Sequence, residues 1–191
     1  MSGIELTLDK ALARGVVTPT QKEETLLRIQ PVDKLEKAVN GCRFVIEAVP
    51  EDLTIKRAVF EELDRHAPSN AILATNTSAL SITLIAGWTE RRDRVIGLHF
   101  FNPPDRMPLI EVVRGLNTAE KTIERARRFC DQLGKETIVV ADRPGFATSR
   151  LSAMIGNEAW YMFMEGVASP EDIDKAVKSR ARIPNGPVRT R

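Results

Sequence analysis

The chain has 191 residues and a mass of 21.3 kDa, with 42% hydrophobic and 28% charged side chains. That is the balance of a packed core rather than of disorder. Lys and Arg number 28 against 26 Asp and Glu, and a net charge of +2 gives no general reason to expect a nucleic-acid partner. No apolar run approaches the roughly 20 residues of a membrane helix, and Met1-Ser2-Gly3 leads into an amphipathic stretch unlike a signal peptide. The two cysteines, Cys42 and Cys130, are far apart and suit a reducing, cytoplasmic setting, and with only His66 and His99 no metal site is expected.

Apolar periodicity places the elements in chain order. Residues 4–14 predict a helix closed by Gly15. Thr18-Pro19-Thr20-Gln21 has the pattern of a capping box with Pro at the first helical position. The helix it opens carries Leu26, Leu27 and Ile29 and stops before Pro31, and a short helix over 35–40 is closed by Gly41. Strand and helix then alternate. Strand 44–48 precedes helix 52–66, whose stripe is Ile55, Val59 and Leu63. Strand 71–74, a short helix over 81–86, and strands 95–98 and 109–113 follow. A helix over 119–133 has Ile123, Ala126, Cys130 and Leu133 on one face, Thr118 as its cap and Gly134 as its stop, and 137–140 is a fifth strand. This alternation indicates a parallel-type α/β sheet.

After Pro144-Gly145 the pattern becomes helical. Residues 146–165 read as one long helix with Ala147, Leu151, Met154, Ile155, Ala159 and Met162 along one side, ended by Gly166. Ser169-Pro170-Glu171-Asp172 begins another, with a cap, a first-position Pro and early acidic charge. The division falls at 1–142 for the α/β unit and 143–191 for the start of an all-α unit. Beyond Asp174 come six Lys or Arg and no acid, a pattern shared by a solvated terminus, the commoner case, and a basic phosphate-binding arm.

His99 is the most informative residue. It closes an apolar strand and is followed by Phe100-Phe101-Asn102-Pro103-Pro104, and strand ends in α/β sheets are where ligands sit. Histidine is the residue type that changes charge near neutral pH without help, so it is suited to taking a proton from a hydroxyl, although a His beside two Phe is more often a packing residue. Glu111 opens the next strand, and a turn and return would bring its carboxylate to the imidazole. Thr75-Asn76-Thr77-Ser78 lies between a buried strand and a short helix, as a helix cap or as polar groups at the same sheet edge. Glu51 and Asp52 complement a helix dipole, and Lys56 either reaches back to an anionic ligand or pairs with Asp52. No two of the 11 glycines are closer than ten positions, so neither a Gly-x-Gly-x-x-Gly fingerprint nor a P-loop occurs.

Val45 to Asp52, Asn76-Thr77-Ser78, His99 to Pro103, Glu111-Val112-Val113 and Pro144-Gly145-Phe146 resemble, in order and spacing, the L-3-hydroxyacyl-CoA dehydrogenases, and most of all the bacterial 3-hydroxybutyryl-CoA dehydrogenases. The resemblance covers about residues 3–178, and its most specific part is His-Phe-Phe-Asn-Pro with Glu twelve positions after the His. It implies an incomplete Rossmann-like sheet followed by the start of an all-α domain. It further implies oxidation of the 3-hydroxyl of an acyl-CoA thioester with NAD as cofactor, as in fatty acid β-oxidation or related acyl-CoA metabolism. By resemblance His99 is the base, Glu111 pairs with its imidazole, and Ser78 hydrogen-bonds the substrate oxygen near the nicotinamide. Asn102 lines the same site, Ser149 is a substrate contact, and Ala48, Glu51, Lys56, Asn76, Ser78 and Asn102 match cofactor contacts. The family's helical domain implies a homodimer.

Three departures accompany the resemblance. The family's first strand, Gly-rich turn, helix and second strand have no counterpart here, and that turn supplies most of the cofactor affinity. Ser149 stands where many members have Asn. The family's Met-Gly-Pro-like segment is Pro184-Asn185-Gly186-Pro187, after which the chain diverges. The expectation is therefore weak or no turnover by this chain alone. The alternative is a non-catalytic acyl-CoA-binding or subunit-interaction fragment, against which the intact Ser78, His99 and Glu111 speak.

Overall fold

The computed structural model describes residues 2–180; the basic residues beyond Arg180 and the Pro184-Asn185-Gly186-Pro187 segment lie outside the described residues. Helix α1 (Ser2–Ala13) is followed by Gly15 at φ 68°. Helix α2 (Pro19–Leu27) starts in the capping box read from the sequence. The Thr18 hydroxyl accepts from the Gln21 amide at 3.2 Å, and the Gln21 side chain accepts from the Thr18 amide at 2.8 Å. The helix ends two residues short of Ile29. Helix α3 (Leu35–Ala38) then leads into strand β1 (Phe44–Glu47).

The sheet has five strands in the order β1-β2-β3-β4-β5. Helix α4 (Leu53–His66) crosses from β1 to β2 (Ile72–Thr75), and α5 (Ile82–Ala86) lies between β2 and β3 (Val95–Phe100). These three strands run parallel. Strand β4 (Leu109–Arg114) runs antiparallel to β3, and β5 (Glu136–Ala141), reached through α6 (Glu120–Gln132), is parallel to β4. The sheet is therefore mixed, where strand-helix alternation by itself indicates a parallel-type sheet. The reason is the link 101–108, which carries Pro103, Pro104 and Pro108 and is shorter than the dozen or so residues a parallel crossover needs.

Each face of the sheet has its own core, because alternate side chains point to opposite sides. Phe60 and Leu63 of α4 and Ile82 and Ile85 of α5 pack with Leu73, Val95 and Val113 on one face. Ile123, Ala126 and Cys130 of α6 pack with Ile72, Ile96, Leu98, Ile110 and Val112 on the other. The inner stripe of α4 is offset from the predicted one: Lys56, Phe60 and Leu63 are buried, whereas Ile55 is 43% exposed. Asp52 caps α4 by accepting from the Ile55 amide at 2.9 Å, and it is not the partner of Lys56. Thr118 does not cap α6 either; its hydroxyl donates to the Val95 carbonyl at 2.7 Å, and Leu133 lies outside the core.

Two further fastenings set the geometry. The Asp142 carboxylate, just past β5, accepts from the Ser81 hydroxyl at 2.7 Å and from the Thr83 amide and hydroxyl at 2.8 and 2.6 Å. Burial raises its carboxyl pKa, but these bonds outweigh burial and the net displacement is downward. Helix α7 (Thr148–Met164) and helix α8 (Pro170–Arg180) form the helical segment. They meet through Ala159 and Ile173, which are buried together, with Met162 and Ala168 packed against them. Of the predicted α7 face, Leu151 and Met154 remain open, at 65% and 62% exposure.

Gly97 sits where the sheet leaves no room for a side chain beneath Ile82 of α5. A Cβ there would lie 2.7 Å from Val113 Cβ and 2.8 Å from Ile82 Cδ1. Gly97→Ala is expected to destabilise the fold by about 1–3 kcal/mol through overpacking, read as a lower urea midpoint with an unchanged slope.

Candidate active site

The hairpin that made the sheet mixed also builds the site. In the β3–β4 register His99 faces Glu111 directly, and opposed residues in antiparallel strands project to the same side. His99 Nδ1 lies 2.7 Å from Glu111 Oε2. The His99 side chain is 7% exposed and the Glu111 carboxylate fully buried. Phe101 and Phe146 wall the imidazole, with ring centroids at 4.7 and 5.8 Å.

A buried carboxylate requires donors for its remaining lone pairs. Glu111 receives them from the start of α7: the Ala147 and Thr148 amides donate to Oε1 at 3.1 and 2.9 Å, and the Thr148 hydroxyl donates to Oε2 at 2.9 Å. Helix α7 has no side-chain cap of its own, so Glu111 fills that place from the sheet. The turn delivering these amides depends on Gly145 at φ 74°, where a Cβ would also sit 3.1 Å from the Arg150 nitrogen. Burial pushes the Glu111 carboxyl up, but the bonds from His99, Thr148 and Ala147 more than offset it and leave it below its ordinary value. Ionised, Glu111 accepts only, so Nδ1 carries a proton, and in the neutral imidazole it is Nε2 that keeps the lone pair. His99 lines an open cavity of about 700 Å³ together with Phe101, Met107, Leu109, Thr148 and Ser149.

A second group of polar side chains gathers at the carboxyl ends of β1 and β2. Asn76 accepts from the Phe100 amide at 2.9 Å and so ties the end of β2 to the end of β3. Glu51 accepts from the Thr77 hydroxyl and from the Ser78 and Ala79 amides at 3.0 and 3.3 Å. Burial raises the Glu51 carboxyl, yet the bonds from Thr77 and Ser78 and the nearby Lys56 charge bring it below the ordinary value. Ser78 and Ala48 are exposed at this edge, and Asn102 is exposed just beyond β3, outside the lining of the cavity. Ser149 is part of that lining. Lys56 is neither at the surface nor paired with Asp52: its ammonium is buried against Glu47 at 2.8 Å and lies 3.4 Å from Glu51.

The structure thus joins His99 and Ser149 in one cavity, with Glu111 buried behind the imidazole, and ties the Asn76–Ser78 turn to it through the β2–β3 fastening. Sequence reasoning missed Thr148, for which no local signal exists, and Glu47, whose signal was a carboxylate in an otherwise apolar strand.

An ionised carboxylate holding a strand-end imidazole beside an apolar cavity, next to a Rossmann-type edge of hydroxyl, amide and carboxylate groups, is suited to moving a proton on a ligand bound at the carboxyl ends of the strands. Residues 1–143 match the family model described as "3-hydroxyacyl-CoA dehydrogenase, NAD binding domain", and residues 145–191 match "3-hydroxyacyl-CoA dehydrogenase, C-terminal domain". The chain belongs to the 3-hydroxyacyl-CoA dehydrogenase family. It is 43% identical over 185 residues to a probable 3-hydroxybutyryl-CoA dehydrogenase of Bacillus subtilis, covering 95% of this chain and 64% of that protein. It is 42% identical over 165 residues to the human mitochondrial hydroxyacyl-coenzyme A dehydrogenase, covering 86% of this chain and 52% of that one. The crystal structure of (S)-3-hydroxybutyryl-CoA dehydrogenase PaaH1 from Ralstonia eutropha superposes with a TM-score of 0.90 at 38% identity, over 97% of this chain and 65% of that one. The chain thus spans less than two thirds of the length of each of these relatives.

The donor bonds make Glu111 a source of pH-dependent stability. Its carboxyl lies lower in the folded protein than its ordinary 4.5, so its contribution is complete above the unfolded value and is lost as pH falls through the folded one. Glu111→Gln is expected to cost about 3 kcal/mol near neutral pH. In urea titrations its difference from the parent protein should shrink below about pH 4; a difference independent of pH would contradict the assignment.

Proposed function

We propose that this chain carries the reacting centre for NAD-dependent oxidation of an L-3-hydroxyacyl-CoA thioester to the 3-oxoacyl-CoA. The observation that carries the reading is that His99, in the wall of the cavity, is held at 2.7 Å by the buried Glu111 behind it. With Nδ1 held by Glu111, His99 Nε2 removes the proton of the substrate's 3-hydroxyl. The imidazolium so formed is stabilised by the adjacent carboxylate. The Ser78 hydroxyl donates to the substrate oxygen, Asn102 and Ser149 contact the substrate, and the cavity surface of Phe101, Met107 and Leu109 takes the acyl chain. Phe101 and Phe146 keep water from the imidazole.

The strand edge fits the nicotinamide half of the dinucleotide. The Glu51 carboxylate, the Asn76 amide and the Ser78 hydroxyl are partners of the kind that ribose hydroxyls and a carboxamide require. Ala48, Glu51, Asn76, Ser78 and Asn102 would hold the cofactor, with the buried Lys56 acting only from behind Glu51, and bound NAD would supply the hydride acceptor. The same reading places the protein in acyl-CoA metabolism of the fatty acid β-oxidation type. A cytoplasmic setting is supported by the free cysteines Cys42 and Cys130. A homodimer through the helical segment is supported by the open apolar side chains of α7, among them Leu151, Met154 and Met164 at 65%, 62% and 75% exposure.

The test is NADH oxidation with acetoacetyl-CoA, followed by absorbance on the purified protein. His99→Ala should lower kcat by about 10²–10⁴-fold while leaving acetoacetyl-CoA binding within about threefold. Undiminished turnover in the variant would overturn the assignment of the base.

A further inference from the structure

Apart from His99 and Glu111, the buried charged side chains among the described residues are Glu47 and Lys56. Glu47 ends β1 and Lys56 lies on α4, and both side chains are 1% exposed. Glu47 Oε1 accepts from the Val49 amide at 2.6 Å and from Lys56 Nζ at 2.8 Å. Its Oε2 accepts from the Thr75 hydroxyl at 2.8 Å and from Lys56 Nζ at 3.0 Å. Lys56 also donates to the Val49 carbonyl at 3.3 Å and lies 3.4 Å from Glu51 Oε2. The other oxygen of Glu51 holds the Thr77 hydroxyl and the Ser78 and Ala79 amides. One ammonium therefore stands between two carboxylates, one buried in the sheet and one that organises the turn carrying Ser78.

A buried ammonium keeps its charge only beside a counter-charge. With Glu47 ionised, Lys56 is satisfied from within the sheet and Glu51 is left to bind the turn. With Glu47 neutral, Glu51 is the remaining carboxylate, and its 41% exposed side chain is drawn toward the ammonium at the expense of the Ser78 and Ala79 amides. We propose that Glu47 is a positioning residue: through Lys56 and Glu51 its buried carboxylate fixes the Thr77–Ala79 turn and holds Ser78 in place for the reaction. The proposal rests on the role given above to Ser78.

The test is amide hydrogen exchange by NMR in Glu47→Gln, Thr75→Val and the double variant Glu47→Gln/Lys56→Met. Exchange at Ser78 and Ala79 should quicken about tenfold in Glu47→Gln, with the Ala147 and Thr148 amides at Glu111 unchanged. Thr75→Val keeps the charge and the strand but removes one donor, and should give a rise of about threefold. Removing the ammonium as well should bring both amides back to within about twofold of the parent protein, because Glu51 is then no longer pulled away. Unchanged exchange in the single variants, a rise spread evenly over the sheet, or failure of Lys56→Met to restore protection would overturn the proposal. NADH affinity, read by fluorescence, should fall in the same order in the two single variants. Exchange needs no ligand, so its outcome is separate from any failure of the parent protein to bind NADH, which would count against the dehydrogenase reading alone.

Discussion

A carboxylate with no exposure must be surrounded by donors, and the Glu111 side chain is where that requirement shapes the molecule. Its partners come from two places in the sequence: the imidazole of His99 on the neighbouring strand, and the Ala147 amide with the amide and hydroxyl of Thr148 at the start of α7. Satisfying one charge therefore fixes the β3–β4 register, the ring orientation of the histidine and the entry of α7 onto the sheet together. Removing a partner from such a buried group costs about 3–5 kcal/mol, a large part of the net stability of a domain of this size.

The same logic recurs at the other polar cluster with a different outcome. Glu47 and Lys56 neutralise one another inside the sheet edge, while Glu51, partly open to solvent, turns the remaining pull outward onto the Ser78 turn. The Asn76–Phe100 bond then joins that turn to the strand bearing His99. Among the described residues no buried side-chain nitrogen or oxygen lacks a partner, so neither cluster has a slack polar group through which it could relax cheaply. Rigid support of this kind places reacting groups to within fractions of an ångström.

Much of this was legible in the sequence because the signals were local. The capping box at Thr18, the stop glycines and the strand-helix alternation are decided by residues within a few positions of one another, and the structure follows them. The His99–Glu111 pairing was legible for a related reason, since a short Pro-rich link leaves the chain little choice but to turn back. That same link made the sheet mixed, which strand-helix alternation alone does not reveal. The misreadings share one cause. Lys56 was read as reaching an anionic ligand or as pairing with Asp52, four residues away on one helix, and Thr118 was read as a cap because it precedes α6. In both cases a partner distant in sequence, Glu47 across the β1–α4 connection and the Val95 carbonyl across the sheet, took the group instead. Thr148 could not be found at all, because its role exists only once α7 has docked on Glu111.

The central claim is that Glu111 holds His99 in one tautomer, with Nδ1 protonated and Nε2 free to take the substrate proton. The most direct test is the ¹⁵N NMR spectrum of the neutral form of the His99 imidazole, reached by raising the pH and assigned by comparison with His99→Ala. The account predicts one protonated nitrogen, Nδ1, with its proton shifted strongly downfield by the carboxylate, and an Nε2 resonance typical of an unprotonated ring nitrogen. A proton on Nε2, or an averaged spectrum of two exchanging tautomers, would contradict it.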